Sequence, residues 1–216
     1  MPQLNIDLMF SIPGQSTEDW CKTLECAIGL KPDHISAYNL TYEEDTVFFE
    51  GLKNGTFAAS EDTDAHYFYL ADEMLVGAGY EHYETSNYAQ PGAKSSHNSG
   101  YWRGEDYLGL GPSAVSTVGG TRSKNVSDTA LYMQRIESIG NAVTEVEELS
   151  AEDLRLERIA LGLRTNEGIP MGLLDAVAVQ RVPQLEAEGF ARVEGGRLIL
   201  MQRGRALVDP IAAELI

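Results

Sequence analysis

Cysteine is nearly absent: Cys21 and Cys26 are the only two in 216 residues. Two thiols cannot build the disulfide framework of a small secreted domain. Five positions apart on a helix, they point about 140° away from each other and cannot converge on one metal. They read as packed or incidental thiols. Basic residues are scarce in the first part of the chain, where residues 1–93 hold 3 of the 16 lysines and arginines but 16 of the 33 acids. That excess repels nucleic acid and anionic membrane surfaces. Long apolar runs are missing too. The longest uncharged stretch, residues 107–121, is 15 residues long and glycine-rich, too short for a membrane-spanning helix. There is no signal-peptide pattern, and a cytoplasmic location is expected. No H-E-x-x-H, G-x-S-x-G, Walker loop or zinc-finger spacing occurs, so none of those chemistries has its residues.

What is present suits a folded α/β protein, with a hydrophobic fraction of 43%. Residues 5–10 form a short apolar run closed by a Pro-Gly turn. Ser16 and Asp19 then have capping-box spacing, and Trp20, Leu24, Ala27 and Ile28 recur at helical intervals. Residues 34–40 read as a second strand. A long connection, 41–60, leads to a helix starting near Glu61 with a stripe of Tyr67, Leu70, Met74 and Leu75, and residues 80–86 read as a third strand. A β-α-β-α-β order predicts parallel strands with helical crossovers and a site at the strands' C-terminal ends: 11–15, 39–41 and 86–88. Residues 151–163, 171–177 and 182–188 read as helices. A hairpin flanks Glu194-Gly195-Gly196, and a final helix covers 203–215, together a winged-helix-like unit. The boundary is placed between residues 148 and 149.

Two places could carry chemistry. Asp7 sits on the first strand with Asn5 and Met9, opposite Ile6, Leu8 and Phe10. If that strand is central, its carboxylate lies on an interior face, where it is either paired with a cation or backbone amide or aimed at a ligand. The segment His97-Asn98-Ser99-Gly100-Tyr101-Trp102-Arg103-Gly104 combines donors with large flat rings. It suits either a planar ligand with polar edges or a structural plug at one end of the sheet. Seven glycines between residues 92 and 120 imply tight turns or close backbone approach. Gly109-Leu110-Gly111-Pro112-Ser113-Ala114 matches a loose dinucleotide pattern, but Val115–Val118 after it favours strand, so the required helix is missing. His34, His66 and His82 are scattered, and the acidic clusters 43–45 and 61–64 read as a solvated face and a helix start.

The motifs 7–15 (DLMFSIPGQ), 80–89 (YEHYETSNYA) and 97–102 (HNSGYW), in that order, resemble the radical S-adenosylmethionine proteins related to oxygen-independent coproporphyrinogen III oxidase. The H-N-x-x-Y-W hexad followed by Tyr107-Leu108-Gly109-Leu110-Gly111 is similar to the haem chaperone branch of that family. The resemblance implies the C-terminal part of a partial (β/α) barrel over residues 1–148 and an accessory winged-helix-like domain over 149–216. It implies S-adenosylmethionine and a [4Fe–4S] cluster in a longer parent protein. Asp7 would hold ribose hydroxyls, and Tyr38, Asn39 and Leu40 would line the adenine. His97, Asn98, Tyr101 and Trp102 would form a haem-associated group. The family's C-x-x-x-C-x-x-C cluster motif is absent, which places its ligands before Met1. The 216 residues alone are therefore expected to be inactive and to retain none of these cofactors. The implied function is binding haem and delivering it to an acceptor protein. The alternative is oxidative decarboxylation of coproporphyrinogen propionates, an oxidoreductase activity. A third reading, nucleic-acid binding through the winged helix, is opposed by Glu186 and Glu188 on the candidate recognition helix 182–188.

Overall fold

The computed structural model describes residues 3–216. Strand β1 (Asn5–Phe10) and strand β2 (His34–Asn39) pair in parallel, from Asn5 opposite His34 to Phe10 opposite Asn39. Helix α1 (Thr17–Gly29) connects them and begins at the reciprocal Ser16–Asp19 cap. Its buried stripe is Trp20, Leu24 and Ala27, the apolar positions one helical turn apart. The connection after β2 is not structureless: Thr46 caps a short helix α2 (Val47–Lys53). Helix α3 (Glu61–Gly77) follows, burying Tyr67, Ala71 and Leu75.

The third strand departs from expectation. Strand β3 (Glu81–Glu84) turns back through Thr85 and Ser86 into strand β4 (Asn87–Ala89), and the sheet order is β1-β2-β4-β3. Strand β4 runs antiparallel to both neighbours, so β3 points the same way as β2 without touching it. Strands of three and four residues, joined by a two-residue turn and broken by a bulge between His82 and Glu84, are too short to show a period. No closed barrel forms among the described residues. The sheet's helix-covered face holds Leu8, Phe10, Ile35, Ala37 and Tyr88 against Trp20, Leu24, Tyr67 and Leu75. Burying rings and branched chains of this size stabilises by roughly 1.5–3 kcal/mol each. The Trp20 indole and the Tyr80 hydroxyl stay satisfied by donating to the carbonyls of Tyr67 (3.0 Å) and Pro32 (2.8 Å).

Helix α4 (Ser96–Trp102) carries the hexad. Beyond it, strands β5 (Val115–Val118), β6 (Thr121–Asn125) and β7 (Val143–Glu148) form an antiparallel sheet, with helix α5 (Thr129–Ile139) between β6 and β7. The glycine-rich 109–114 segment leads into β5 and not into a helix. A side chain at Gly109 would lie 2.2 Å from the Val115 carbonyl oxygen, so the two backbones touch there.

The last unit starts with helix α6 (Ala151–Gly162), capped reciprocally by Ser150 and Asp153. Strand β8 (Ile169–Pro170) and a 3₁₀ turn (Met171–Leu173) follow, then helix α7 (Ala176–Ala187), strands β9 (Ala191–Glu194) and β10 (Arg197–Leu200), and helices α8 (Gln202–Arg205) and α9 (Val208–Leu215). Two expectations fail here. Residues 171–177 and 182–188 are not separate helices. Asp175 accepts from the Val177 and Ala178 amides and starts a single helix that runs through Pro183, because Ala178, Val182 and Leu185 are buried along it. The final helix is likewise split between Arg205 and Val208. The hairpin around Glu194-Gly195-Gly196 forms as read, with β8 as a third strand in the order β8-β10-β9.

This unit extends the first sheet. The Thr85 amide donates to the Arg164 carbonyl (2.8 Å) and the Asn166 amide to the Tyr83 carbonyl (3.0 Å), so residues 164–166 lie along the free edge of β3. Arg205 donates to the His82 carbonyl (3.2 Å) and Gln202 to the Asp72 carboxylate (2.5 Å).

Candidate functional site

The face of the first sheet opposite α1 and α3 is polar. Register and alternation put Asn5, Asp7 and Met9 of β1 beside His34, Ser36 and Tyr38 of β2, with Asn87 and Ala89 of β4 next in line. Asp7 is exposed on this face and not enclosed. Among the described residues no lysine or arginine holds it, and it accepts one bond, from the Asn5 amide at 2.8 Å. The carboxylate's remaining lone pairs are free for hydroxyl donors. Tyr38 is 40% exposed beside it, and Asn39 and Leu40 continue the strand end, with the Leu40 amide donating to the Phe10 carbonyl (3.0 Å).

Asp7 ends a chain of hydrogen bonds that all run one way. The Ser95 amide donates to the Tyr83 hydroxyl (3.3 Å), whose proton is directed at His34 Nε2 (2.8 Å). The His34 Nδ1 proton goes to the Asn5 carbonyl oxygen (2.6 Å), and the Asn5 amide goes to Asp7. This tautomer requires neutral His34, and burial lowers the His34 pKa, against the opposing charge of Asp7. Burial also pushes the Tyr83 hydroxyl up to about 12, so it stays a donor. Ser95 is the N-cap of α4. The sheet's polar face therefore reaches the hexad helix directly.

Near the other end of that helix lies Glu84. This carboxyl is fully buried, and burial raises its pKa. The Asn87 amide, the Ser86 backbone N–H (3.3 Å), the charge of His82 and, least, the Trp102 indole oppose the rise. Along α4, His97 and Tyr101 are exposed, and Asn98 and Trp102 are half-buried. Trp102 is thus the more covered of the helix's two large rings, and His97 and Tyr101 face solvent.

Tyr101 also lines a cleft of about 430 Å³ between the hexad and α6. Tyr107, Val115, Leu154 and Leu161 form apolar walls, and Arg122, Glu157 and Arg158 stand in it. Arg122 is locked to Glu157 by two bonds of 2.7 and 2.8 Å. Gly104, just past the hexad with φ of 64°, lets the chain approach this wall: a side chain there would lie 3.2 Å from Arg158 Nε.

The cysteines have no part in a site. Cys21 is half-buried and Cys26 exposed on α1, and no group of three or more His, Cys, Asp or Glu able to hold a metal occurs among the described residues. These residues do not fit an iron–sulfur cluster. Residues missed in the sequence were His34, Tyr83, Glu84 and Asn87. The last three lie inside the 80–89 motif, and the signal that could have marked them was a carboxylate and an amide in an otherwise aromatic, strand-forming stretch. His82 is not free either: its ring is stacked on Tyr88 (4.1 Å) and pairs with Asp72 (2.6 Å). No helix among the described residues is long and apolar enough to cross a membrane.

The family described as HemN C-terminal domain matches residues 149–207. Over 214 residues the chain is 35% identical to the protein named "Heme chaperone HemW" of Mycobacterium tuberculosis strain H37Rv, covering 99% of this chain and 55% of that protein. It is 32% identical over 167 residues to the Bacillus subtilis protein of the same name, covering 77% and 44%. It is 32% identical over 215 residues to the mitochondrial radical S-adenosyl methionine domain-containing protein 1 of Danio rerio, covering 94% and 48%. Among solved structures, the Escherichia coli coproporphyrinogen III oxidase HemN, a radical SAM enzyme, superposes with a TM-score of 0.75 at 21% identity, over 98% of this chain and 54% of that one. That likeness establishes the fold. The chain spans about half the length of the relatives it matches. With the three motifs in order, it belongs to the HemW-type branch of the radical S-adenosylmethionine family that includes HemN.

Proposed function

We propose that the protein carrying this chain binds haem and delivers it to an acceptor protein in the cytoplasm, with His97, Asn98, Tyr101 and Trp102 forming part of the haem site. The observation that carries this reading is the helix tied to the sheet at its N-cap by Ser95–Tyr83, which exposes His97 and sets Tyr101 in the wall of an apolar cleft. Similarity to proteins named as haem chaperones, over 99% of the chain in the mycobacterial case, favours this over porphyrinogen oxidation. Residues 1–148 are assigned to the barrel portion and 149–216 to the accessory domain, on the separate clusters of buried residues in each.

In the same reading, Asp7 would accept the ribose hydroxyls of S-adenosylmethionine and Tyr38, Asn39 and Leu40 would flank its adenine. The support is that Asp7 is exposed and has no cation partner among the described residues. Bound with a cluster, that cofactor supplies radical chemistry; this chain holds no cluster ligands, and the chain alone is expected to make no 5′-deoxyadenosine. For haem this departs from the expectation that the 216 residues alone retain no cofactor: binding is proposed for this chain itself, because the hexad and the cleft both lie within it. Haem titration of the 216-residue chain, with His97→Ala and Trp102→Ala, tests the assignment. We expect each variant to lose at least about tenfold in affinity, about 1.4 kcal/mol; unchanged affinity in both would remove the hexad from the site. Clean conversion of coproporphyrinogen III by the longer, cluster-loaded protein would replace the chaperone reading with the oxidase one.

A further inference from the structure

Arg158 is the charged group in the cleft that no other described residue neutralises. Both acids lining the cleft are engaged, Glu157 with Arg122 and Glu105 with Arg103 at 3.6 Å. Arg158 is exposed on α6, and no carboxylate or carbonyl partner meets it among the described residues. Its guanidinium lies over Gly104, two residues beyond Trp102, so one unpaired cation stands at the hexad's edge. Around it the walls are apolar and aromatic, in a volume within the roughly 300–1,000 Å³ typical of small-molecule sites. The molecule as a whole carries −17 and repels anions, so a dianionic ligand needs a local cation to settle.

We propose that this cleft takes the carboxylate-bearing edge of the tetrapyrrole, with Arg158 pairing one propionate and Tyr101 lying against the ring. The inference rests on the haem reading and adds to it a second contact surface, supplied by the accessory domain. An apolar wall with one free guanidinium recognises a flat, hydrophobic anion. Arginine suits this task because its planar fork donates two parallel bonds to a carboxylate. The bond is made at the rim of an apolar cleft, where solvent screens it less than on an open surface.

The test compares haem with its dimethyl ester, which keeps the ring and iron and loses both charges. The 216-residue chain is titrated with each ligand as wild type, Arg158→Gln and Arg181→Gln. Arg181 is an exposed arginine on α7, remote in sequence from the hexad, and controls for the general loss of one positive charge. Wild type and Arg181→Gln should bind haem about tenfold more tightly than the ester, and Arg158→Gln should bind the two alike. Equal binding of haem and ester by wild type, or discrimination retained in Arg158→Gln, overturns the proposal while leaving the hexad assignment standing. Equal loss of discrimination in Arg181→Gln assigns the preference to overall charge and also overturns it. Failure of wild type to bind either ligand overturns the haem reading itself.

Discussion

Two neighbouring regions of this chain fold on different terms. Residues 151–216 close a core of their own, in which Ile159, Leu163, Ile169, Leu198 and Leu200 are almost wholly buried. Residues 104–148 contain three strands and a helix, yet the only fully buried hydrophobic residue among them is Ala142. Helix α5 buries nothing, and Leu108, Leu110 and Ile139 are left open. The difference teaches that the middle layer takes its position from backbone ladders and polar ties, such as Arg122–Glu157, and the last unit takes its position from apolar packing. The cleft lies where the two meet. A cleft between a firm wall and a weakly packed one can adapt to a ligand without disturbing a core.

The contrast breaks most easily at its strongest point. Leu198→Ala, in the closed core, should destabilise by about 2–5 kcal/mol in urea unfolding. Ile136→Ala, on a helix position 41% exposed, should stay within about 0.5 kcal/mol of wild type. Equal losses would mean that α5 has an apolar partner and the contrast is false.

Next comes the tie between the last unit and the first sheet. Burial alone would raise the Asp72 pKa; the hydrogen bond and charge of His82, the Gln202 bond and the charge of Arg205 outweigh it and hold the carboxyl below its ordinary range. Such a group contributes stability above the unfolded-state pKa and loses it as pH falls through the folded one. Asp72→Asn should therefore cost about 1.5–3 kcal/mol at neutral pH. The gap to wild type should close on acidification below about pH 4, as equilibrium unfolding at several pH values would show. A gap independent of pH would exclude the charged pair as its source.

Glu84 has the opposite sign. Its raised pKa makes the folded state hold a proton that the unfolded chain gives up first, so stability falls as pH rises from the ordinary carboxylate range through the raised value. Glu84→Gln should gain on wild type over that interval and lose its pH slope. Parallel curves for the two proteins would show that Glu84 does not titrate between them.

The smallest effect is expected at Ser11, which adopts a φ of 61° and buries a hydroxyl without a partner among the described residues. Ser11→Gly should stabilise by about 1 kcal/mol, read as a higher urea midpoint. A lower midpoint would mean that the hydroxyl has a bonding role.

Much of this architecture was legible where periodicity is long. The Trp20–Leu24–Ala27 stripe, the Ser16–Asp19 cap and the Glu194-Gly195-Gly196 turn follow from local rules. Strand β4 was not legible, because three residues carry no period and their place between β2 and β3 is decided by tertiary pairing. The single helix 176–187 was not legible as one element: it runs through Pro183 because burial of Val182 and Leu185 outweighs one missing backbone bond. In the site, the hexad was visible as a motif, but its anchor was not. Tyr83 and Ser95 meet only after β3 and α4 are set side by side. Arg158 lies more than fifty positions from Trp102, and no spacing rule joins them.

The central claim is that the haem site is built jointly by the hexad and the accessory domain across this junction. Hydrogen exchange of the 216-residue chain, with and without haem, tests it directly. Haem should slow exchange in two separate segments, residues 96–107 and 154–161, and leave the buried core of 178–215 unchanged. Protection confined to the hexad, or spread evenly over the whole chain, would contradict the claim.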